Sequence, residues 1–129
     1  MDFLGSQPKI CFLMIGINDL SRQENVDNIF NNYIEIINIL QSKKITPVIQ
    51  STLLTLDSPT INNTKVILLN KKLKEFAHNK SIDFIDLNKE LAPNGALLKE
   101  YSSDGVHLNI KGYIIWKNNL AHYIQIHKF

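Results

Sequence analysis

The chain has 129 residues, 44% of them hydrophobic and 20% charged, which suits one domain over residues 1–129 with a buried core and excludes disorder as its main state. Fourteen basic residues against twelve acidic ones leave a formal charge of +2, without the basic stripe of a nucleic-acid binder. A single cysteine excludes an internal disulfide framework and a cysteine-based zinc site, and apolar runs of about six residues exclude a membrane-spanning helix. The opening Met1-Asp2-Phe3-Leu4-Gly5-Ser6 has neither the basic start nor the long apolar stretch of a signal peptide. A cytoplasmic location is therefore the default expectation, which a leader on a preceding segment would change.

Ile10 to Ile15 is a short, continuous apolar run closed by Gly16, as in a strand covered on both faces of a parallel sheet. Val26, Ile29, Phe30, Tyr33, Ile37 and Leu40 then recur with a helical period, and Lys43 and Lys44 follow at the end where cations favour the helix dipole. Ile45 to Leu54 reads as a second strand, with Pro47 near its start, where a missing N–H costs little. Asp57-Ser58-Pro59 marks a loop. A helix over Ile61 to Asn79 turns Val66, Leu69, Leu73, Phe76 and Ala77 to one side, and the Lys71-Lys72-Lys74 run reads as a solvated face. Ser81 to Leu87 is a third strand, Pro93-Asn94-Gly95 a turn, and Glu100 to Leu108 a loop. Asn109 is a good N-cap for a last helix over Ile110 to Ile126, with Tyr113, Trp116, Leu120, Tyr123 and Ile124 as its buried stripe. His78, His122 and His127 fall on polar helix faces and read as solvated.

The order β-α-β-α-β-loop-α predicts an α/β fold, a parallel sheet with right-handed crossovers and helices on its faces. Ligands of such sheets bind beyond the carboxyl ends of the strands. Two segments fall there: Gly16-Ile17-Asn18-Asp19, after the first strand, and Asp104-Gly105-Val106-His107, before the last helix.

A carboxylate and an imidazole three residues apart on a turn form two parts of a hydrolytic triad, the imidazole as base and the carboxylate as its orienting partner. Asp104-Gly105 is equally a common turn pair, with His107 a packed loop residue. An asparagine just past a strand end, here Asn18, can donate to a developing oxyanion. It can also close the strand by bonding its own backbone, and Gly16 allows the sharp turn in either case.

Taken together, the two segments resemble the SGNH hydrolases, the GDSL-type esterases and lipases. Gly16, Asn18 and Asp19 match that family's Gly-x-Asn-Asp block, and Asp104 and His107 its Asp-x-x-His block. Tyr101 to Asn109, followed by Gly112-Tyr113 and Trp116, is similar to the subgroup of platelet-activating-factor acetylhydrolase catalytic subunits and bacterial acyl or sialate O-acetylesterases; Ser102 stands where that subgroup often has Thr. The resemblance implies a flavodoxin-like three-layer α/β/α sandwich. It implies His107 as general base, Asp104 as its partner, Asn18 as an oxyanion donor, Gly16 as the turn that carries Asn18, and Asp19 as a residue that orders the loop. No metal or organic cofactor is implied, and the expected substrate is a short-chain acyl ester, an acetyl ester on a sugar among them.

One departure is large. The family's nucleophilic serine lies in a Gly-Asp-Ser block on an earlier strand, and only fifteen residues precede Gly16, too few for the two strand–helix units expected there. The chain thus looks like an SGNH fold without its N-terminal part, and the nucleophile is not assigned within it. Ser6 precedes the first strand, roughly 20 Å from Asn18 for a seven-residue strand. Ser102 and Ser103 are close chain neighbours of the Asp–His pair, and Cys11 sits inside a strand, where cysteine behaves as a small hydrophobe. Two readings stay open: a serine esterase completed by a further segment, and a non-catalytic module of the same fold that binds a ligand or partner. In either, the edge at Ile10–Ile15 would lack its neighbour and invite a second copy or an N-terminal partner fragment.

Overall fold

The computed structural model describes residues 9–14, 20, 22, 24–56, 58 and 60–127. Gly16, Asn18, Asp19, Ser6 and the end of the first strand at Ile15 lie outside the described residues. The elements are β1 (Ile10–Leu13), α1 (Val26–Ser42), β2 (Thr46–Gln50), α2 (Asn63–Lys80), β3 (Asp83–Ile85), a short α3 (Asn88–Leu91), a 3-10 turn over Lys99–Tyr101, and α4 (Ile110–His127). The three strands pair in parallel in the order β1-β2-β3, with Ile10 opposite Thr46 and Val48 opposite Asp83.

Alternation along the strands builds the layers. Cys11, Leu13, Ile49 and Phe84 turn to one face, where Val26, Ile29, Tyr33 and Ile37 of α1 and Val66, Leu69, Leu73 and Ala77 of α2 complete the main core. These helix positions are the ones the periodicity picks out. Phe30 and Phe76 join the two helices edge to face at 5.8 Å. The opposite face carries α4. Phe12 meets Tyr123 edge to face at 5.7 Å, Trp116 Nε1 donates to Gln50 Oε1 at 2.6 Å, and the Tyr123 hydroxyl donates to Asp83 at 2.6 Å. Helices on both faces of a parallel sheet make the expected three-layer α/β/α arrangement.

β2 and β3 both end sooner than the sequence suggests. β2 stops at Gln50: Ser51 N–H still donates to Ile85 C=O of β3 at 2.9 Å, but from Thr52 onward the backbone bonds to asparagine side chains instead of to a strand. Asn70 accepts from Thr52 N–H at 2.7 Å and donates to Thr52 C=O at 2.8 Å. Asn63 does the same for Thr55 at 2.9 and 2.7 Å. Asn88 accepts from Leu54 N–H at 3.0 Å and donates to Thr52 C=O at 2.8 Å. β3 is confined to Asp83–Ile85: Ser81 before it is the left-handed C-cap of α2, and Leu87 N–H after it donates to the Ser51 hydroxyl at 2.9 Å. Asn25 and Asn62 cap α1 and α2 through their side chains, so α2 begins at Asn63 rather than Ile61.

The expected stripe of α4 is corrected. Trp116, Leu120 and Tyr123 are partly buried, but Tyr113 and Ile124 are exposed, and Gly112 is the helix's only fully buried residue. The stripe is split because the sheet below takes only the Trp116–Tyr123 side. The flank formed by Ile110, Tyr113, Ile114 and Ile124 is uncovered among the described residues. His127 is also not simply solvated. It lies against the Tyr123 ring, 4.1 Å between centroids, and 3.7 Å from the Asp83 carboxylate.

Leu69 is fully buried between α2 and the sheet, whereas Ile67, two residues away, is 51% exposed. Leu69→Ala should lower the unfolding free energy by about 2–5 kcal/mol, and Ile67→Ala should stay within about 0.5 kcal/mol. Urea denaturation of the two variants measures the difference.

Candidate active site

The loop between the 3-10 turn and α4 is closed at its base by Asn109. Its N–H donates to Tyr101 C=O at 2.8 Å and its side-chain amide to Glu100 C=O at 2.9 Å. Its side-chain oxygen accepts from Gly112 N–H at 3.0 Å, the N-cap bond expected of it. Gly112 is needed there for space: a Cβ would stand 2.8 Å from the Tyr101 carbonyl oxygen and 2.9 Å from a Leu108 methyl. Ser102 and Leu108 form an antiparallel bridge that narrows the loop to the residues between them.

Within it, Asp104 uses its two oxygens differently. Oδ1 accepts from the N–H groups of Val106 and His107, each at 2.8 Å, and Oδ2 lies 2.8 Å from His107 Nδ1. The backbone N–H of His107, its imidazole and the N–H of Val106, in that order of effect, hold the Asp104 carboxyl well below the usual carboxylate range. A carboxylate only accepts, so Nδ1 carries the proton of the neutral ring and Nε2 presents a lone pair. An imidazole in this tautomer can take a proton through Nε2 and return it, while the carboxylate balances the charge that forms. The side chains stand open to solvent, His107 at 80% and Asp104 at 55%.

The loop is tied to the sheet through Gly105. This residue is buried, adopts φ +82, and its carbonyl accepts from Leu56 N–H at 2.7 Å. Leu56 follows the asparagine-held stretch after β2, so the Asp–His pair sits beyond the carboxyl ends of the strands, where the element order places it. Met14, at the end of β1, packs in the same small cluster with Leu53, Leu56, Leu108 and Trp116. An open hollow of about 550 Å³ flanks the loop, lined by Glu100, Ser103, Leu108, Asn109, Ile110, Lys111 and Tyr113.

The structure thus brings Asp104 and His107 together and leaves Gly16, Asn18 and Asp19 outside its described residues. The serine alternatives fare differently. Ser102 is buried and its hydroxyl donates to the carbonyl of His107 at 2.6 Å, away from any nucleophile's role, whereas Ser103 is exposed along the hollow. Cys11 packs against the main core, as a small hydrophobe does. Among the described residues, no serine or cysteine donates to the His107 ring, and no group of His, Cys, Asp and Glu side chains could hold a metal ion. Sequence reasoning missed the loop-holding asparagines Asn63, Asn70 and Asn88. Their only signal was a polar side chain on or beside the inward face of a helix.

A family model for GDSL-like lipases and acylhydrolases matches residues 2–115. N-acylneuraminate cytidylyltransferase of Streptococcus agalactiae is 32% identical over 106 residues, 82% of this chain and 26% of that protein. A GDSL-like lipase of Bacteroides thetaiotaomicron superposes with a TM-score of 0.82 at 24% identity, covering 93% of this chain and 63% of that one. An acetyl-xylooligosaccharide esterase from Geobacillus superposes with a TM-score of 0.74 at 16% identity, covering 93% and 61%. The chain therefore spans about a quarter of the curated relative and about three-fifths of the solved structures. By the family match over nearly its whole length and by its three-layer fold, this chain belongs to the GDSL-like lipase/acylhydrolase family, the SGNH hydrolases.

Proposed function

We propose that the chain supplies the base, its carboxylate partner and an oxyanion donor for serine-dependent hydrolysis of an ester. The observation that carries this reading is the 2.8 Å contact between His107 Nδ1 and an Asp104 carboxylate held ionised by its own loop. In the proposed reaction, His107 Nε2 takes the proton of a serine hydroxyl as the oxygen attacks the ester carbonyl. Asp104 keeps the ring in position and stabilises the imidazolium. Asn18, with Gly16 shaping its turn and Asp19 ordering it, donates to the oxyanion. His107 then protonates the departing alcohol, and water repeats the cycle on the acyl-enzyme.

The nucleophile in this reading comes from a Gly-Asp-Ser segment outside the 129 residues. Three observations support a missing neighbour. Asp104 and His107 are open to solvent, β1 is an edge strand among the described residues, and the adjoining flank of α4 exposes Ile110, Tyr113, Ile114 and Ile124. A strand followed by a helix would cover edge and flank together. The substrate class we propose is a short-chain acyl ester, an acetyl ester carried on a sugar. Its support is the acetyl-xylooligosaccharide esterase of like fold and the 32% identity with a protein named for N-acylneuraminate.

Labelling of the purified chain with a fluorophosphonate, read by intact mass, should give no adduct; an adduct on one serine would overturn the external nucleophile. In the active assembly, Asn18→Ala should lower the rate about 10²–10³-fold, and an unchanged rate would remove Asn18 from the mechanism. The Asp104 carboxyl also sets a pH dependence. Its folded value lies below the ordinary 3.8, so its stabilising effect is complete above that value and fades as pH falls beneath it. Urea midpoints between about pH 5 and about pH 2 should therefore drop more steeply for wild type than for Asp104→Asn.

A further inference from the structure

The Asp104–His107 pair lies in water, where two exposed side chains would ordinarily keep much of their rotamer freedom. The order of the pair must come from the backbone beneath it, and that backbone converges on one side chain. Ser102 is 8% exposed, in a loop whose neighbouring Ser103 and Asp104 face solvent. Its hydroxyl donates to the carbonyl of His107 at 2.6 Å and accepts from Gly105 N–H at 2.8 Å. It also stands 3.3 Å from Asp104 Oδ1, the oxygen that accepts the two backbone N–H groups of the turn.

A hydroxyl has one proton to give and two lone pairs to offer, and these contacts use it on both ends of the pair at once. The His107 carbonyl fixes the peptide that carries the imidazole. The Gly105 amide belongs to the peptide that joins Asp104 to the left-handed glycine. We infer that Ser102 is the positioning residue of the site: its hydroxyl, through Gly105 N–H and His107 C=O, holds the turn in which Asp104 and His107 meet. The inference rests on the base-and-partner reading above and extends it to a residue that touches neither substrate nor imidazole. Removing the hydroxyl leaves a buried N–H and a carbonyl without their partner, which loosens the turn while the helix caps on either side persist.

The backbone at Ser102 has φ −150 and ψ 137, an extended conformation that a β-branched side chain favours. Threonine should therefore replace serine with its hydroxyl in place, and alanine should not. The test is NMR on the 129-residue chain, with two signals: the His107 Nδ1–H proton held by the carboxylate, and solvent exchange at the Gly105 amide. Wild type should show the ring proton and a protected Gly105 amide. Ser102→Ala should broaden the ring proton beyond detection and speed Gly105 exchange roughly tenfold, the ordinary worth of one hydrogen bond. Ser102→Thr should restore both. An alanine variant that keeps both signals, or a threonine variant that loses them, overturns the inference. If the alanine variant does not fold, the threonine variant and wild-type Gly105 decide: protection in both supports the role, and exchange at the free-peptide rate overturns it. A wild-type ring without a carboxylate-held proton overturns the base assignment itself, which is distinct from a ring proton that is present and indifferent to Ser102.

Discussion

The Asp104 carboxylate accepts three N–H groups within four residues, two from the backbone and one from an imidazole. Each bond favours the ionised form, so the group stays a pure acceptor and the imidazole has one tautomer that satisfies it. The same bonds close the turn, so the shape of the loop and the chemistry of the ring cannot be separated. Elsewhere in the molecule the work is to present this turn at the correct end of the sheet. Asn109 shuts its base, the left-handed Gly105 fastens it to Leu56, and Ser102 fills its interior.

The path from sheet to turn runs through backbone that is neither strand nor helix. Residues 51–55 lie at the carboxyl end of a central strand, and most are buried, so every N–H and C=O there needs a partner. Three asparagine amides from α2 and α3 supply partners for Thr52, Leu54 and Thr55, each with an acceptor and a donor suited to a peptide, and Ser51 N–H reaches Ile85 of β3. Among the described residues, no buried side-chain nitrogen or oxygen is left without a hydrogen bond. Leucine at any of these asparagines would suit the helix and fail the loop.

Much of the fold was legible because it rests on period and punctuation. Val26, Ile29, Tyr33 and Ile37 mark a helix by spacing alone, and Ile10 to Leu13 and Thr46 to Gln50 fall inside apolar runs bounded by turn residues. Asp104 and His107 were legible because the turn that joins them is local in sequence. Long-range bonds were not. Nothing in the spacing of Ile45 to Leu54 says that the strand yields to Asn70 and Asn88. The exposure of Tyr113 and Ile124 was hidden for a related reason, since an apolar stripe on a helix states a need for cover and not what provides it. Asn18, with its glycine and aspartate, was read from a short segment that the structure leaves undescribed.

Strand order in this sheet follows chain order, and each crossover returns to the neighbouring position. The main core is therefore assembled from two crossovers of similar length, which pair Ile10 with Thr46 and Val48 with Asp83. The contacts of α4 are of another kind. The Gln50–Trp116 bond spans 66 residues, and Phe12 meets Tyr123 from near the opposite end of the chain. These long-range contacts fall on the helix whose first turn, through Asn109, seals the Asp104–His107 loop. Loss of this helix as a unit removes the Asn109 seal of the turn, while the ladder joining β1, β2 and β3 keeps its own hydrogen bonds, so the setting of the imidazole depends on how the helix docks and not on strand pairing.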